Sequence, residues 1–361
     1  MSRRLRVGIV GAGIGAHHAA AFGSLPDLYS IEAVCDLDQA RAAALAAEHG
    51  IARVVTSYED LLALDLDIVD ICTPSHLHFA QAAAALEAGR HAIVEKPLAG
   101  SLAEVDALAD IEVRSGRRAA PIFQYRFGNG FRKLMHLKAK GALGKPYVAT
   151  VETHWRRTAR YYDNPWRGRW SSELGGALIT HAIHAHDMMS EVMGPLASVY
   201  ALTATRVNQI ETEDCAALAL RAESGAMITL SVTLGGQREE SRLRFCFEGL
   251  TVESGSPAPY EPGAEPWYFV SEEPAVLRKI NQVLADYIPC ADRWTGQFVA
   301  LHAALADDAP MPVAIADSRR SIELLTAAYY SSHSGEAVRL PIGRDHPFYD
   351  GWLPAMSKRV A

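Results

Sequence analysis

Leu5 to Val10 reads as an alternating, apolar strand, and it runs without a spacer into Gly11-Ala12-Gly13-Ile14-Gly15-Ala16. That G-x-G-x-x-A pattern restricts the chain strongly. Its glycines permit a tight turn and close approach of a pyrophosphate to the backbone, while the helix that follows offers unpaired N–H groups and the positive end of its dipole. A second apolar strand, Ile31 to Cys35, ends at Asp36, twenty residues after Ala16. A carboxylate there is placed for an adenosine ribose diol, where it accepts from both hydroxyls and repels a 2′-phosphate. The spacing predicts a dinucleotide site with NAD preferred, and Arg41 nearby keeps NADP open.

Two further strand-like runs, Ile68 to Cys72 and His91 to Val94, flank the alanine-rich helical stretch Phe79 to Ala88. Strand, helix and strand repeated at this spacing predict a doubly wound parallel sheet, in which ligands bind outside the carboxyl ends of the strands. The first run ends in Thr73-Pro74-Ser75-His76-Leu77-His78, a polar turn expected to line the cofactor site or to cap the next helix through Thr73 or Ser75. The second ends in Glu95-Lys96-Pro97. A carboxylate, an amine and a proline are an odd way to end a buried strand unless the end is needed. Pro97 fixes its own backbone and biases Lys96 towards extended geometry, so the amine is expected to aim into the crevice. The plainer alternative is a surface lysine after a strand.

Near Pro121 the βα rhythm stops. Tyr147 to Trp155, Val199 to Arg206, Ala216 to Arg221, Met227 to Thr233 and Leu243 to Glu248 alternate as strands, and short links between several of them predict antiparallel pairing. The expected domains are residues 1–121, dinucleotide-binding, and residues 122–361, α+β. Within the second lies Gly175 to Asp187; read as a helix, it puts Thr180, His184 and Asp187 on one face with His181 beside them. The histidines invite a zinc reading, yet His186 faces away from His184 on a helix and no thiol accompanies the group. No metal is expected, and His181 and His186 are read as core or supporting histidines. The loop from His154 to Tyr162, the turn Asp163-Asn164-Pro165 and Trp166-Arg167-Gly168-Arg169-Trp170 are dense in arginine and aromatic side chains. Aromatic faces stack on sugar C–H surfaces and guanidinium forks bind hydroxyls or an anionic group, which suits a polyol; the same composition also suits a subunit contact.

The 361 residues supply ample core, and a net charge of -7 gives no electrostatic reason to expect nucleic acid. Cys35, Cys72, Cys215, Cys246 and Cys290 show no CxxC spacing, which favours a reducing cytoplasm. Met1-Ser2-Arg3-Arg4 could mimic the basic end of a signal peptide, but the apolar run behind it enters the glycine turn directly, so neither a targeting segment nor a membrane span is expected.

The glycine turn, Cys72-Thr73-Pro74, Glu95-Lys96-Pro97, the helix reaching Ile183-His184, and the segment from Asp317-Ser318-Arg319-Arg320-Ser321 to Leu340-Pro341-Ile342 together resemble the Gfo/Idh/MocA oxidoreductase family over nearly the whole chain. The resemblance implies an N-terminal Rossmann domain, then an α+β domain with a large open, mostly antiparallel sheet. It implies a nicotinamide dinucleotide, oxidation or reduction of a hydroxyl on a sugar or cyclitol, and Lys96 with His184 as the catalytic pair. Two positions depart from the family pattern: an acid often stands four residues before that histidine and a glycine two before it, where this chain has Thr180 and Ala182. A relay through a carboxylate at 180 is therefore in doubt, although the Thr180 hydroxyl can still hold substrate.

The residues expected at the cofactor are Gly11, Gly13, Ile14, Gly15, Asp36, Arg41, Thr73, Pro74, His76, His78, Glu95, Lys96 and Gln124. Those expected at the substrate are Lys96, Tyr125, Arg156, Arg157, Arg160, Trp166, Trp170, Thr180 and His184. A homodimer or homotetramer is expected, because an open sheet otherwise exposes a large apolar face. An ordinary lysine, with a pKa near 10.4, is a poor base at neutral pH. Burial, His184 and the nicotinamide charge would depress it, whereas Glu95 would oppose that shift if close. Two rival functions are an NAD-retaining glycosidase that oxidises a hydroxyl transiently, and a sugar- or dinucleotide-sensing regulator, against which the intact Lys96 and His184 argue.

Overall fold

The computed structural model describes residues 3–307 and 309–356, which divide into two compact units. The first takes the described residues up to Ile122 and those from Trp294 to Arg319; the remainder form the second. None of the described helices is long and apolar enough to cross a membrane.

In the first unit β1 (Leu5–Val10), α1 (Gly15–Gly23), β2 (Tyr29–Cys35), α2 (Gln39–His49), β3 (Arg53–Val55), α3 (Tyr58–Leu62), β4 (Ile68–Ile71), α4 (His78–Glu87), β5 (His91–Val94), α5 (Leu102–Ser115) and β6 (Ala119–Pro121) follow in turn. All six strands are parallel, in the order β3-β2-β1-β4-β5-β6. The order reverses between β1 and β4, the switch point beside which such sheets bind ligands. The inner strands are buried along nearly their whole length, as a sheet covered on both faces requires. Side chains set the helix starts: Asp38 accepts from the N–H groups of Ala40 and Arg41 at α2, and Ser101 from that of Glu104 at α5.

The second unit holds α6 (Asn129–Ala139), β7 (Pro146–Arg156), α7 (Trp170–Glu173), α8 (Ile183–Met193), β8 (Leu196–Ala204), β9 (Cys215–Ala222), β10 (Met227–Thr233), β11 (Gly235–Phe247), β12 (Leu250–Ser254), β13 (Trp267–Val270) and α9 (Pro274–Leu284). The chain continues through α10 (Arg293–Ala306), α11 (Ile315–Ser334), β14 (Val338–Arg339) and α12 (Leu353–Met356). Eight strands order as β13-β12-β11-β7-β10-β9-β8-β14. Every neighbouring pair is antiparallel except β7 with β10. That exception has a cause: α7 and α8 carry the chain from β7 across to β8, and the β8-β9-β10 meander returns to lie alongside β7. One sheet face buries Ala149, Val151, Thr153 and Trp155 of β7, while Tyr200, Leu202, Met227, Tyr268 and Val270 are exposed on the other.

A single boundary near residue 121 needs correcting, because residues 294–319 return to the first unit. Phe298 and Leu301 of α10 are fully buried in its core. Phe298 stacks on Phe22 with ring centroids 4.1 Å apart, the Tyr29 hydroxyl donates to the Phe298 carbonyl, and the Gln297 amide donates to the Pro121 carbonyl. Replacing Phe298 with alanine should therefore destabilise the protein by about 3–5 kcal/mol in urea titration, and a loss under about 1 kcal/mol would contradict this packing.

Candidate active site

The three glycines of the first turn have separable reasons. Gly11 has φ +96°, and a Cβ there would run into the Cys72 carbonyl. A Cβ on Gly15 would sit 2.9 Å from Ile9 Cγ2, so that glycine lets α1 pack closely on β1. At Gly13 a Cβ would meet nothing within 4 Å, and the residue is exposed. The protein's own packing demands the outer two glycines, while the middle one leaves room for a bound group to approach the backbone, which fits a pyrophosphate. Ile14 is exposed beside it.

Asp36 ends β2 with its carboxylate already oriented. Oδ2 accepts from the Ala12 N–H at 2.8 Å, and Oδ1 accepts from the Asp38 N–H at 2.9 Å and from Arg41 Nη2 at 2.8 Å. Burial opposes the charge, but the two backbone donors and Arg41 outweigh it and hold the carboxyl below its usual range. Arg41 is thus drawn onto Asp36, a geometry that favours a diol over a 2′-phosphate.

Beyond β4, Thr73 donates its hydroxyl to Gln81 Oε1 at 2.6 Å, and α4 starts without a side-chain cap, contrary to the capping expected from Thr73 or Ser75. Pro74 is half-buried and His76 exposed. His78 was expected at the cofactor, and that reading is corrected. Its ring is 1% exposed, with Nδ1 2.6 Å from the Pro97 carbonyl and Nε2 2.8 Å from the Thr73 carbonyl. It ties the ends of β4 and β5 together from inside the wall.

Lys96 is half-buried at the carboxyl end of β5, and its peptide bond to Pro97 is cis. Glu95 is buried, with Oε2 accepting the Lys96 backbone N–H at 3.1 Å and Oε1 3.1 Å from His18 Nε2. His18 was overlooked in the sequence, as was Asp70, whose carboxylate meets His18 Nδ1 at 3.0 Å. The available signal was an acid inside the otherwise apolar strand Ile68–Ile71.

In the second unit, His184 is 4% exposed, stacked on Tyr125 at 4.5 Å and met edge-on by Phe123 at 5.9 Å. Asp187, one turn further on, is held by Arg126 from the same 123–127 segment. Gln124 beside it is buried, with Oε1 lacking a hydrogen-bond partner among the described residues. The regular helical face expected for Thr180 and His184 is corrected, since Leu178–Ala182 is a π-helical turn that changes their angular relation before α8 begins. The Thr180 hydroxyl donates to the Gly176 carbonyl at 2.7 Å. The start of this turn is pinned by Glu213, whose carboxylate accepts from the N–H groups of Gly176 and Leu178 and from the Tyr329 hydroxyl. His186 is a core histidine: both ring nitrogens lack partners among the described residues, and burial pushes its pKa down to about 3.

Two residues expected at the substrate have partners within the protein. The Arg157 guanidinium lies over the rings of Trp155, Tyr161 and Tyr260 at 5.2, 5.0 and 5.6 Å, and donates to Glu239 at 2.9 Å. A half-buried cation needs such partners, and Arg157 keeps them while lining the same cavity as Arg156. Trp170 is 4% exposed, donates its indole N–H to the Glu211 carbonyl and packs on Tyr329. Trp166 lies under Arg167 at 4.2 Å. Arg156 and Arg160 remain exposed, and Arg156 lines a cavity of about 630 Å³ with Tyr162, Asn208, Gln209 and Gln237.

Burial pushes the Glu213 carboxyl up to about 7, with its three donors pulling the other way. Between about pH 4.5 and 7 the folded state therefore keeps a proton that the unfolded chain has lost, so stability falls as pH rises through that window. The fall should reach roughly 3 kcal/mol and vanish in Glu213→Gln, measured by denaturant titration at several pH values; identical slopes in the two proteins would refute it.

Comparison with known proteins agrees with this architecture. Residues 5–123 match the model of the Gfo/Idh/MocA oxidoreductase family with its NAD-binding Rossmann fold, and residues 131–253 match the family's C-terminal domain. An uncharacterized oxidoreductase of Bacillus subtilis (strain 168) is 31% identical over 238 residues, 64% of this chain and 67% of that protein. D-glucoside 3-dehydrogenase of Escherichia coli (strain K12) is 35% identical over 199 residues, 54% of this chain and 55% of that protein, so the match to it spans about half its length. The WlbA dehydrogenase from Bordetella pertussis, solved in complex with NADH and UDP-GlcNAcA, superposes with a TM-score of 0.83 at 30% identity, covering 94% of this chain and 100% of that one. With both domain models matched in order and an NAD-binding Rossmann sheet carrying the glycine turn, the chain belongs to the Gfo/Idh/MocA family of oxidoreductases.

Proposed function

We propose that the protein is an NAD-linked dehydrogenase acting on a ring hydroxyl of a sugar, glycoside or cyclitol, with Lys96 and His184 sharing proton transfer and hydroxyl positioning. The observation that carries this reading is Lys96 itself, half-buried at the carboxyl end of β5 in the NAD-binding sheet, with the neighbouring Glu95 engaged by His18. Glycoside oxidation by a relative and the sugar nucleotide bound by a solved neighbour support the substrate class.

Asp36 would hold the ribose diol, and the backbone at Gly13 would meet the pyrophosphate. NAD, when bound, supplies the hydride acceptor or donor. Lys96 is the group assigned to take the hydroxyl proton in the oxidative direction and return it in the reductive one. His184, fixed by stacking on Tyr125, is assigned to hold the same hydroxyl. Thr180 is assigned to the substrate's edge, with its hydroxyl donating to the Gly176 carbonyl and lying 2.5 Å from His181 Nδ1. Arg156 and Arg160 are assigned to the outer part of the substrate, with an anionic substituent the chemistry that would use them.

The exposed apolar side chains Tyr200, Leu202 and Met227 on the open sheet suit a homodimer or homotetramer, and five free cysteines suit a reducing cytoplasm. Light scattering giving only monomer at micromolar concentration would count against the assembly.

The test is a panel of monosaccharides, glycosides, uronates, inositols and sugar nucleotides assayed for net NADH. Net NADH distinguishes a dehydrogenase from a glycosidase that returns its hydride. Lys96→Ala should lower kcat by roughly 10²–10⁴-fold while NAD affinity by calorimetry stays nearly intact. Full activity of that variant would sink the mechanism, and tighter NADP than NAD binding by the unaltered protein would sink the role given to Asp36.

A further inference from the structure

We propose that His18 is held as an imidazolium and is the positioning residue that fixes Glu95, and through it the Lys96 backbone, to the helix following the glycine turn. The positioning role rests on the function proposed for Lys96; the charge state does not.

His18 is completely buried on α1. Its Nδ1 lies 3.0 Å from both oxygens of Asp70, and its Nε2 lies 3.1 Å from Glu95 Oε1. Cys72 Sγ approaches from one side, 3.4 Å from Nδ1 and 3.5 Å from Asp70 Oδ2. From α10 the rings of Trp294 and Phe298 pack against it. One ring therefore faces two carboxylates, and a neutral imidazole has a single N–H. Either the ring carries two protons or one carboxyl carries the extra one.

The two arrangements have the same net charge, but the ionised one buries two more charges, so burial favours the neutral pair while basicity and the contacts to His18 oppose it. Unperturbed histidine binds its proton at about pH 6.5 and glutamic acid at about 4.3, so the proton belongs on the ring. Glu95 adds to that preference, because Oε2 already accepts the Lys96 N–H and hydrogen bonds to the ionised form favour it. Burial alone would discharge His18, yet Asp70 opposite Nδ1 raises its pKa well above the ordinary value. A metal is the competing occupant, since His18, Asp70 and Cys72 offer ligand atoms within 4.8 Å of one another. Without one, the Cys72 thiol lies 3.5 Å from Asp70 Oδ2 and fits as a donor to it, and metal analysis of the protein separates the two occupants.

The bridge joins the two halves of a dinucleotide-dependent site: α1 begins at the glycine turn, and Glu95 directly precedes Lys96. In the folded protein His18 keeps a proton that the unfolded chain releases near pH 6.5. Its contribution to stability is complete below that pH and declines as pH rises towards the folded pKa.

The direct test is nitrogen NMR of the full protein labelled at histidine, with the His18 signals identified by their loss in His18→Gln. Both ring nitrogens should remain protonated above the ordinary histidine range, and a neutral ring at about pH 7.5 would overturn the proposal. Stoichiometric metal surviving chelation in elemental analysis would also overturn it. For positioning, His18→Gln and Glu95→Gln should each lower kcat about 10–100-fold with little change in KM for NAD, and the double variant should be no worse than the poorer single one. Neither change should reduce activity further in a Lys96→Ala background. Losses that multiply, or that fall on KM alone, would overturn the positioning role. If His18→Gln does not fold, Glu95→Gln supplies the reading: the His18 pKa should drop, and an unchanged value would overturn the bridge. An active Lys96→Ala enzyme would instead remove the function proposed for Lys96 and leave the NMR result standing.

Discussion

A polar group taken out of water must find a partner or lose its charge, and this requirement organises the working parts of both units. Asp36 is oriented by the backbone of the glycine turn and by Arg41. His78 joins two strand ends through their carbonyls, and Glu213 gathers the start of the segment that presents His184. In each case a side chain inside the wall fixes backbone that the wall presents outward. Rigidity at such a site comes from polar satisfaction layered on apolar packing, since dispersion contacts alone are non-directional.

Much of this was legible in the sequence wherever a local pattern dictates a local structure. The strand-to-glycine transition, the spacing to Asp36 and the apolar run before Lys96 each encode geometry within a few residues, and β1, β2 and β5 end at Val10, Cys35 and Val94 in a parallel sheet. The Arg and aromatic loop is ambiguous at Arg157 and Trp170, because the chemistry that binds sugars also builds cores. Only burial and partners distinguish the two uses, and those are set by residues such as Tyr260 and Glu239, about a hundred positions away. The π turn at Leu178–Ala182 was illegible for the same reason, since it is pinned by Glu213 rather than by its own sequence. The short strands β13 and β14 carry too few residues for alternation to declare them.

The mixed sheet shows how connection length governs strand direction. Hairpin-scale links produce the β8-β9-β10 meander, whereas the stretch containing α7 and α8 permits β7 and β10 to run the same way. Short links between the expected strands pointed to antiparallel pairing and could not foresee the one parallel seam, because direction belongs to the path between strands and not to the strands themselves.

The return of α10 to the first unit has a consequence for how the protein is born. The Rossmann sheet ends at Pro121, yet the ring that closes its core, Phe298, lies some 170 residues later. At ribosomal rates of about 5–20 residues per second, the emerging sheet waits roughly 10–30 s with that apolar surface uncovered, while residues 123–293 of the second unit are translated. Chaperones that shield apolar surface have their longest opportunity to act during that interval.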